Sequence, residues 1–374
     1  MQHRRLGHTE LQVSVVGFGG KELPNVEQAN ADAALNKALE LGINYIDTAR
    51  DYLDSERKIG RAIGNRRREF YLATRTSARD AEGAQRDLDT SLNELQMDSV
   101  DVYQLHNVST SEAYRQVMAT GGAFEALLEA KDQGLVSHVG ITIHRALPLM
   151  RHAIESGAFE TIMLSYSLID QENVEAEILP MAREHGLGVV IEKPLSGGLL
   201  VTPRTSGEEP SEPDPIVQGS LWYVTSNDAV SLTIPSMTGV GEVEENAEVG
   251  SIESKMSRRQ LYQLRQQIGD LGQEFKYGQV CLRCGHCQPC PNEVPITDIF
   301  RAVDMYRSYP KELRDLGLRL YQSQNVKAEE CMECGECVAN CPANLEIPDL
   351  LEEAAELFAD VDVSQVLDVD KAVT

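Results

Sequence analysis

All eight cysteines of this 374-residue chain fall into two short runs near its C-terminus: Cys281, Cys284, Cys287 and Cys290 followed by Pro291, and Cys331, Cys334, Cys337 and Cys341 followed by Pro342. Two residues between successive cysteines let neighbouring thiolates converge on one small inorganic core, and the proline turns the chain away after the fourth ligand. The chemistry suited to this pattern is that of iron and sulfide, so the two runs are read as two [4Fe-4S] clusters. Structural zinc also takes four thiolates, but it needs only two pairs per site and has no use for a third closely spaced cysteine or a Cys-Pro step. Disulfides are disfavoured as well. The chain opens with the polar stretch Met1 to Glu10 and shows no apolar targeting segment, which points to a reducing cytoplasm.

The elements that must carry these residues come next. A ferredoxin-like module would leave roughly 270 residues upstream of it, enough for a large domain of their own. A hydrophobic content of 42% with 5% aromatics describes an ordinary aliphatic core, and no apolar run is long enough to span a bilayer. The formal charge of -25 argues against nucleic-acid binding, which needs a basic face.

Eight short apolar stretches alternate with amphipathic helical ones: Val13 to Phe18, Ile43 to Asp47, Phe70 to Thr74, Val100 to Leu105, His138 to Ile143, Thr161 to Ser165, Gly188 to Glu192 and Val230 to Ile234. Helical patterns between them include Ala29 to Leu41, Ala81 to Leu95, Gly122 to Gln133 and Asn173 to His185. Eight such units predict an α/β fold of the TIM (β/α)8 barrel type. A doubly wound sheet is the alternative, but Gly17, Gly19 and Gly20 lack the spacing of its glycine-rich turn. Arg4 to Val13 reads as a hairpin across the barrel's bottom, and Pro203 to Pro215 as an acidic loop. Arg258 to Leu271 reads as a helix leaving the barrel. The expected organisation is a barrel over residues 1–271, a small helical two-cluster domain over 272–360 with helices at Asp298 to Tyr306 and Lys311 to Gln322, and a loose acidic tail over 361–374.

The second cysteine run has the spacing of bacterial two-cluster ferredoxins, whose fourth cysteine ligates the other cluster. That resemblance implies one cluster on Cys281, Cys284, Cys287 and Cys341 and another on Cys331, Cys334, Cys337 and Cys290, although the first run is one residue short before its last cysteine. The upstream region resembles the aldo-keto reductase family over nearly its whole length. The match is carried by Arg5 to Ser14 with Gly17-Phe18-Gly19-Gly20, by Gly42 to Tyr52 with Ser55-Glu56 and Gly60, by Leu72 to Thr76, Asp101 to His106, Val139 to Thr142, Lys193-Pro194-Leu195, Ile234-Pro235 and Glu245-Asn246. Together with the cysteine lobe, the arrangement is similar to the subgroup with a C-terminal dicluster domain.

The resemblance implies a proton-donating site beside a bound nicotinamide, built from Asp47, Tyr52, His106 and a lysine whose place is taken here by Arg75. Tyr52 would protonate a carbonyl oxygen and His106 would orient it. A guanidinium cannot relay a proton, but Arg75 could pair with Asp47 and polarise Tyr52. For the cofactor, the resemblance implies contacts from Gly19, Gly20, Thr142, Lys193, Leu195, Ser236, Met237, Glu242, Glu245 and Asn246. Thr142 keeps a hydrogen-bonding group where Ile143 and Met163 do not, and Glu192 stands where a ring often stacks. Ser236 and Glu242 replace the family's phosphate-reading cations, which favours NAD over NADP.

Two functions follow. One is a nicotinamide-dependent oxidoreductase interconverting a carbonyl and an alcohol on a small molecule. The other is an electron-transfer or docking protein, serving a redox partner protein, whose barrel has lost hydride chemistry. Hydride carries two electrons and each cluster one, so exchange between them needs an intermediary such as a flavin.

Overall fold

Apolar residues in uninterrupted runs of five or six call for strands buried on both faces. The computed structural model, which describes residues 1–144, 146–169, 173–201, 213–268, 281, 283, 285–308, 311–341 and 345–359, arranges them so. The chain divides into two compact units, Met1–Gly269 and Asp270–Thr374.

In the first unit, eight parallel strands follow one another in chain order: β3 (Phe18–Gly19), β4 (Tyr45–Asp47), β5 (Tyr71–Thr76), β6 (Val100–Leu105), β7 (Val136–Thr142), β8 (Thr161–Ser165), β9 (Gly188–Glu192) and β10 (Leu232–Thr233). Isolated parallel bridges from Val16 to Thr233 and from Gly19 to Ser236 bring the last strand back to the first, curling the sheet into a barrel. The closure depends on a bare backbone at Gly19, where a Cβ would stand 2.8 Å from the Ile234 carbonyl oxygen. Helices lie between the strands, among them α1 (Gln28–Glu40), α2 (Ser55–Ile63), α3 (Ala81–Leu95), α4 (Ser111–Met118) and α5 (Ala123–Asp132). Local chemistry sets where they start: the Asp80 carboxylate accepts from the Gly83 N–H at 2.8 Å and caps α3.

Two expectations shift. The stretch from Val13 to Phe18 is not one strand. Gln12–Ser14 (β2) pairs antiparallel with His3–Arg5 (β1), and the chain joins the barrel only after it, through the Val16–Thr233 bridge and Phe18–Gly19. This hairpin packs Leu6, Leu11 and Val13 against Tyr45, Ala73, Val190 and Leu232, plugging the N-terminal ends of the strands. The helix expected from Asn173 to His185 begins as a wider turn, Val174–Ile178, before Leu179–Glu184 becomes regular. Pro180, which has no N–H to give, sits at that transition.

The second unit contains helices over Ile296–Ser308, Lys311–Ser323, Glu336–Ala339 and Ile347–Ala359. The last ends at Ala359, and its Ile347, Leu351, Ala354 and Phe358 share one buried face. Residues 202–212 of the acidic loop, residues 269–271 of the exit helix, Cys284, Pro342 and the tail over 361–374 lie outside the described residues. Among the described residues no helix is long and apolar enough to cross a membrane.

Candidate active site and thiol cavity

Parallel register places the ends of β4, β5 and β6 side by side: Asp47 is level with Ala73, and Arg75 with Gln104. The side chains singled out by the sequence meet there. Arg75 and Asp47, each 1% exposed, form a direct ion pair through Nη2 and Oδ1. The rest of the guanidinium is also engaged: Nε donates to the Thr48 carbonyl at 3.0 Å and Nη1 to the Met163 sulfur at 2.7 Å. Its Cζ lies 5.5 Å from the centre of the Tyr52 ring. Tyr52 in turn meets His106 edge to face, with centroids 5.9 Å apart. The second carboxylate oxygen of Asp47 is buried without a hydrogen-bond partner among the described residues.

The turn that presents Tyr52 is tied down by its neighbours. The Ser55 hydroxyl, 2.9 Å from that of Thr48, donates to the Gly20 carbonyl at 2.8 Å. Glu56 accepts from Thr74 at 2.7 Å and pairs with Arg50. The Ser-Glu pair of the sequence motif is therefore a clamp joining β3, β4 and β5. Arg79 does the same after β6, donating to the carbonyls of His106 at 2.9 Å and Asn107 at 3.1 Å, where the backbone takes φ 47°.

Electrostatics follow from burial. Desolvation pushes the Asp47 carboxyl up to about 7 against the pull of Arg75. For Arg75 desolvation acts against the charge, but Asp47, Tyr52 and Glu192 together outweigh it and raise its pKa. We take the ionised pair as the resting state, since a buried guanidinium stripped of its counter-ion would be the costlier species. Burial lowers His106 to about 4, with Arg75 adding to the effect and Asp51 opposing it, so the imidazole is neutral near pH 7.

Asp51 and Ser77 are site residues that sequence reasoning missed. His106 Nδ1 lies 3.3 Å from an Asp51 carboxylate oxygen and 3.3 Å from the Ser77 hydroxyl, which itself donates to Asp51. Asp51 stands inside the motif that supplied Asp47 and Tyr52, so a signal existed; Ser77 had none. A second missed group lies at the ends of β7 to β9. Glu192 accepts from Ser165 at 2.8 Å and from Lys193 at 2.7 Å, and His144 Nε2 is 3.4 Å away. Burial opposes the Glu192 charge, but His144, Lys193 and the Ser165 hydrogen bond overcome it and depress its pKa.

The residues expected to touch a dinucleotide are found in mixed company. Thr142 is buried and accepts from the Asn107 N–H at 2.6 Å, so its hydroxyl oxygen already serves the loop after β6. Lys193 is held by Glu192, and Leu195 is half-buried beside Val217 and Leu221. Ser236 is exposed and Met237 fully buried at the end of β10. In α9 (Val240–Val249), Glu242 accepts from the Thr238 N–H at 2.6 Å and its hydroxyl at 2.9 Å, and Glu245 accepts from the Asp214 N–H. The Asn246 amide oxygen is buried and lacks a partner among the described residues, an acceptor that a bound donor could satisfy.

In the second unit, Cys290 lines one cavity with Cys331, Cys334 and Cys337, walled by Pro291, Ile296, Pro348 and Leu351. Four thiols around an apolar pocket are a donor set that suits a cubic iron-sulfur core. Burial raises the Cys337 thiol, with Cys331 and Cys334 adding to the shift, so these sulfurs are mutually close. Cys281, Cys287 and Cys341 belong to or border the adjoining apolar core.

Comparison with known proteins finds one family match in each of the two units. Residues 15–218 match the model of the aldo/keto reductase family, and residues 280–346 match that of the 4Fe-4S dicluster domain. The chain is 28% identical over 291 residues to the uncharacterized oxidoreductase YqkF of Bacillus subtilis, covering 67% of this chain and 92% of that protein. It is 28% identical over 289 residues to L-galactose dehydrogenase of Arabidopsis thaliana, covering 67% and 89%. Among solved structures, an aldo-keto reductase from Bacillus halodurans superposes with a TM-score of 0.61 at 27% identity, covering 71% of this chain and 96% of that one. One from Klebsiella pneumoniae, solved with NADPH, superposes at 0.58 with 22% identity, covering 71% and 94%.

Proposed function

This chain belongs to the aldo/keto reductase family and carries a C-terminal 4Fe-4S dicluster domain, and from that premise we propose that it is a nicotinamide-dependent oxidoreductase that interconverts a carbonyl and an alcohol on a small molecule. The convergence of Asp47, Tyr52, Arg75 and His106 at the ends of β4, β5 and β6 carries this reading. Bound nicotinamide would supply the hydride. Tyr52 supplies the proton to the substrate oxygen, with the Arg75 guanidinium carbon 5.5 Å from its ring centre. Asp47 holds that charge in place, and Met163 and the Thr48 carbonyl fix the guanidinium plane. Arg75 therefore acts as a fixed field and Tyr52 is the only member of the pair that moves a proton.

On the cofactor side, Gly19, Gly20, Lys193, Leu195, Ser236, Met237, Glu245 and Asn246 would surround the dinucleotide. The carboxylate of Glu242 near the adenosine end repels a 2′-phosphate, which favours NAD(H) over NADP(H). In the second unit, the cavity supports crossed ligation: Cys290, Cys331, Cys334 and Cys337 hold one [4Fe-4S] cluster, and Cys281, Cys284, Cys287 and Cys341 the other. Each cluster moves one electron, which suits exchange with a redox partner protein, and a reducing cytoplasm keeps the thiols available.

The test is a panel of aldehydes, sugars and their alcohols assayed anaerobically with NAD(H) and NADP(H). Tyr52→Phe should lower turnover by about 10²- to 10⁴-fold, whereas Arg75→Lys should preserve or raise it. Unchanged turnover in Tyr52→Phe would remove Tyr52 as proton donor. An absence of turnover on every compound would favour the electron-transfer reading.

A further inference from the structure

Inside the barrel, on two strands that only β5 separates, three polar atoms lack a hydrogen-bond partner among the described residues: the Tyr45 hydroxyl and Asp47 Oδ2 on β4, and Gln104 Oε1 on β6. Their residues are 0%, 1% and 0% exposed. Tyr45 and Asp47 stand two positions apart and so share the inner face of β4. Pairing sets Asp47 level with Ala73 and Arg75 level with Gln104, and Ala73, packed in the interior with Tyr45, adds only a methyl between the two polar strands. The groups around them are engaged: Arg75 with Asp47 Oδ1, the Thr48 carbonyl and Met163, and the Gln104 nitrogen with the Thr161 hydroxyl oxygen at 3.5 Å.

Counting hydrogens decides what fits. Asp47 Oδ2 and Gln104 Oε1 can only accept, whereas the Tyr45 hydroxyl has one hydrogen to give. A water molecule matches all three, with two hydrogens to donate and a lone pair to receive, and about three hydrogen bonds are usual for a buried water. A metal cation would leave the Tyr45 hydrogen without an acceptor and would face the Arg75 guanidinium across one carboxylate. We infer that the barrel interior at Asp47 binds one ordered water, which accepts from Tyr45 and donates to Asp47 Oδ2 and Gln104 Oε1, making Tyr45 and Gln104 positioning residues for Asp47. Only the consequence rests on the proposed active site: the water completes the hydrogen bonding of the carboxylate that holds Arg75. A donor to the ionised form favours it, so this bond draws the Asp47 carboxyl back down from the value near 7 to which burial pushes it against the pull of Arg75.

Two measurements on the full-length chain, purified without oxygen, test this. Crystals diffracting well enough to show ordered waters should reveal one within hydrogen-bond reach of all three atoms. A direct bond from Tyr45 to Asp47, or density that gains anomalous signal when rubidium replaces sodium, would overturn the inference. The second measurement follows ¹³C-carboxyl aspartate signals against pH, with Asp47 assigned by its loss in Asp47→Asn. Tyr45→Phe removes only a hydroxyl, and Gln104→Met keeps the side-chain length without the amide. Each should raise the Asp47 midpoint by about one pH unit, the equivalent of one hydrogen bond. Tyr103→Phe should leave it unchanged, because that buried hydroxyl donates to the Ala84 carbonyl. An unmoved midpoint in Tyr45→Phe or Gln104→Met, or an equal shift in Tyr103→Phe, would sink the idea. Neither readout needs turnover, so the water can stand if Tyr52→Phe fails its own test, and it can fall if Tyr52→Phe succeeds.

Discussion

The two units bury reactive groups in opposite ways. The barrel encloses an ion pair, a neutral imidazole and a carboxylate, and for each of them the chain itself provides partners: Asp47 for Arg75, Asp51 and Ser77 for His106, Lys193 and Ser165 for Glu192. The cysteine unit encloses sulfur. Its core of Val294, Ile296, Ile299, Phe300, Leu318, Leu351 and Phe358 is small, it includes Cys287 and Cys337, and Cys281, Cys290, Cys331 and Cys341 border it. Among the described residues, no Lys, Arg or His lines the cavity that Cys290, Cys331, Cys334 and Cys337 share. The barrel's buried charges are thus matched by polypeptide groups, whereas the second unit presents a set of thiol donors suited to an inorganic core.

The largest expected effect breaks the molecule along this line. Anaerobic chelation should remove about eight iron and eight sulfide per chain and melt the second unit, read as lost helical circular dichroism. The single tryptophan, Trp222, lies in α8 (Pro215–Thr225) of the barrel and donates to the Ser254 carbonyl at 2.7 Å. Its fluorescence should keep its native spectrum throughout. Simultaneous loss of both signals would mean that the barrel is not self-sufficient.

Within the barrel, Asp47→Ala strands a buried guanidinium and should cost about 3–5 kcal/mol in urea unfolding followed through Trp222. Adding Arg75→Met should recover most of that loss, because the penalty belongs to the unpaired charge and not to the missing carboxylate. Failure of the second change to compensate would place the cost in packing.

The smallest effect concerns pH. His106 has its folded pKa lowered from 6.5 to about 4, so between those values the unfolded chain binds a proton that the folded one refuses. Stability is then fully present above pH 6.5 and declines as pH falls toward 4, by a total on the order of 3 kcal/mol. His106→Gln should flatten this part of the profile. An unaltered profile would assign the slope to the carboxylates.

Much of the architecture was legible because periodicity is a local property. Thr161–Ser165 and Gly188–Glu192 occupy the residues that their apolar runs indicate, and α3 covers Ala81–Leu95 as its pattern suggests. The first strand was misjudged since hydrophobicity cannot tell a hairpin strand from a barrel strand; both are buried, and only pairing with Thr233 or with Arg4 distinguishes them. The helix at Ile347–Ala359 was legible in the spacing of its apolar residues but was obscured by its acidic exposed face.

Residue type and short spacing by themselves determined the thiol chemistry of Cys281 to Cys341, the alternation of strand and helix, and the motif that joins Asp47 to Tyr52. Each is a relation between neighbours in the chain, where covalent geometry sets the reach. Tertiary structure alone decided that Met163, 88 residues from Arg75, receives its Nη1 hydrogen bond, and that Ser77, 29 residues from His106, faces its Nδ1. The same holds for Cys290 and the second cysteine run, which share a cavity. Those contacts depend on the register of parallel strands and the packing of helices across long loops, quantities set by the whole core rather than by any local run of residues.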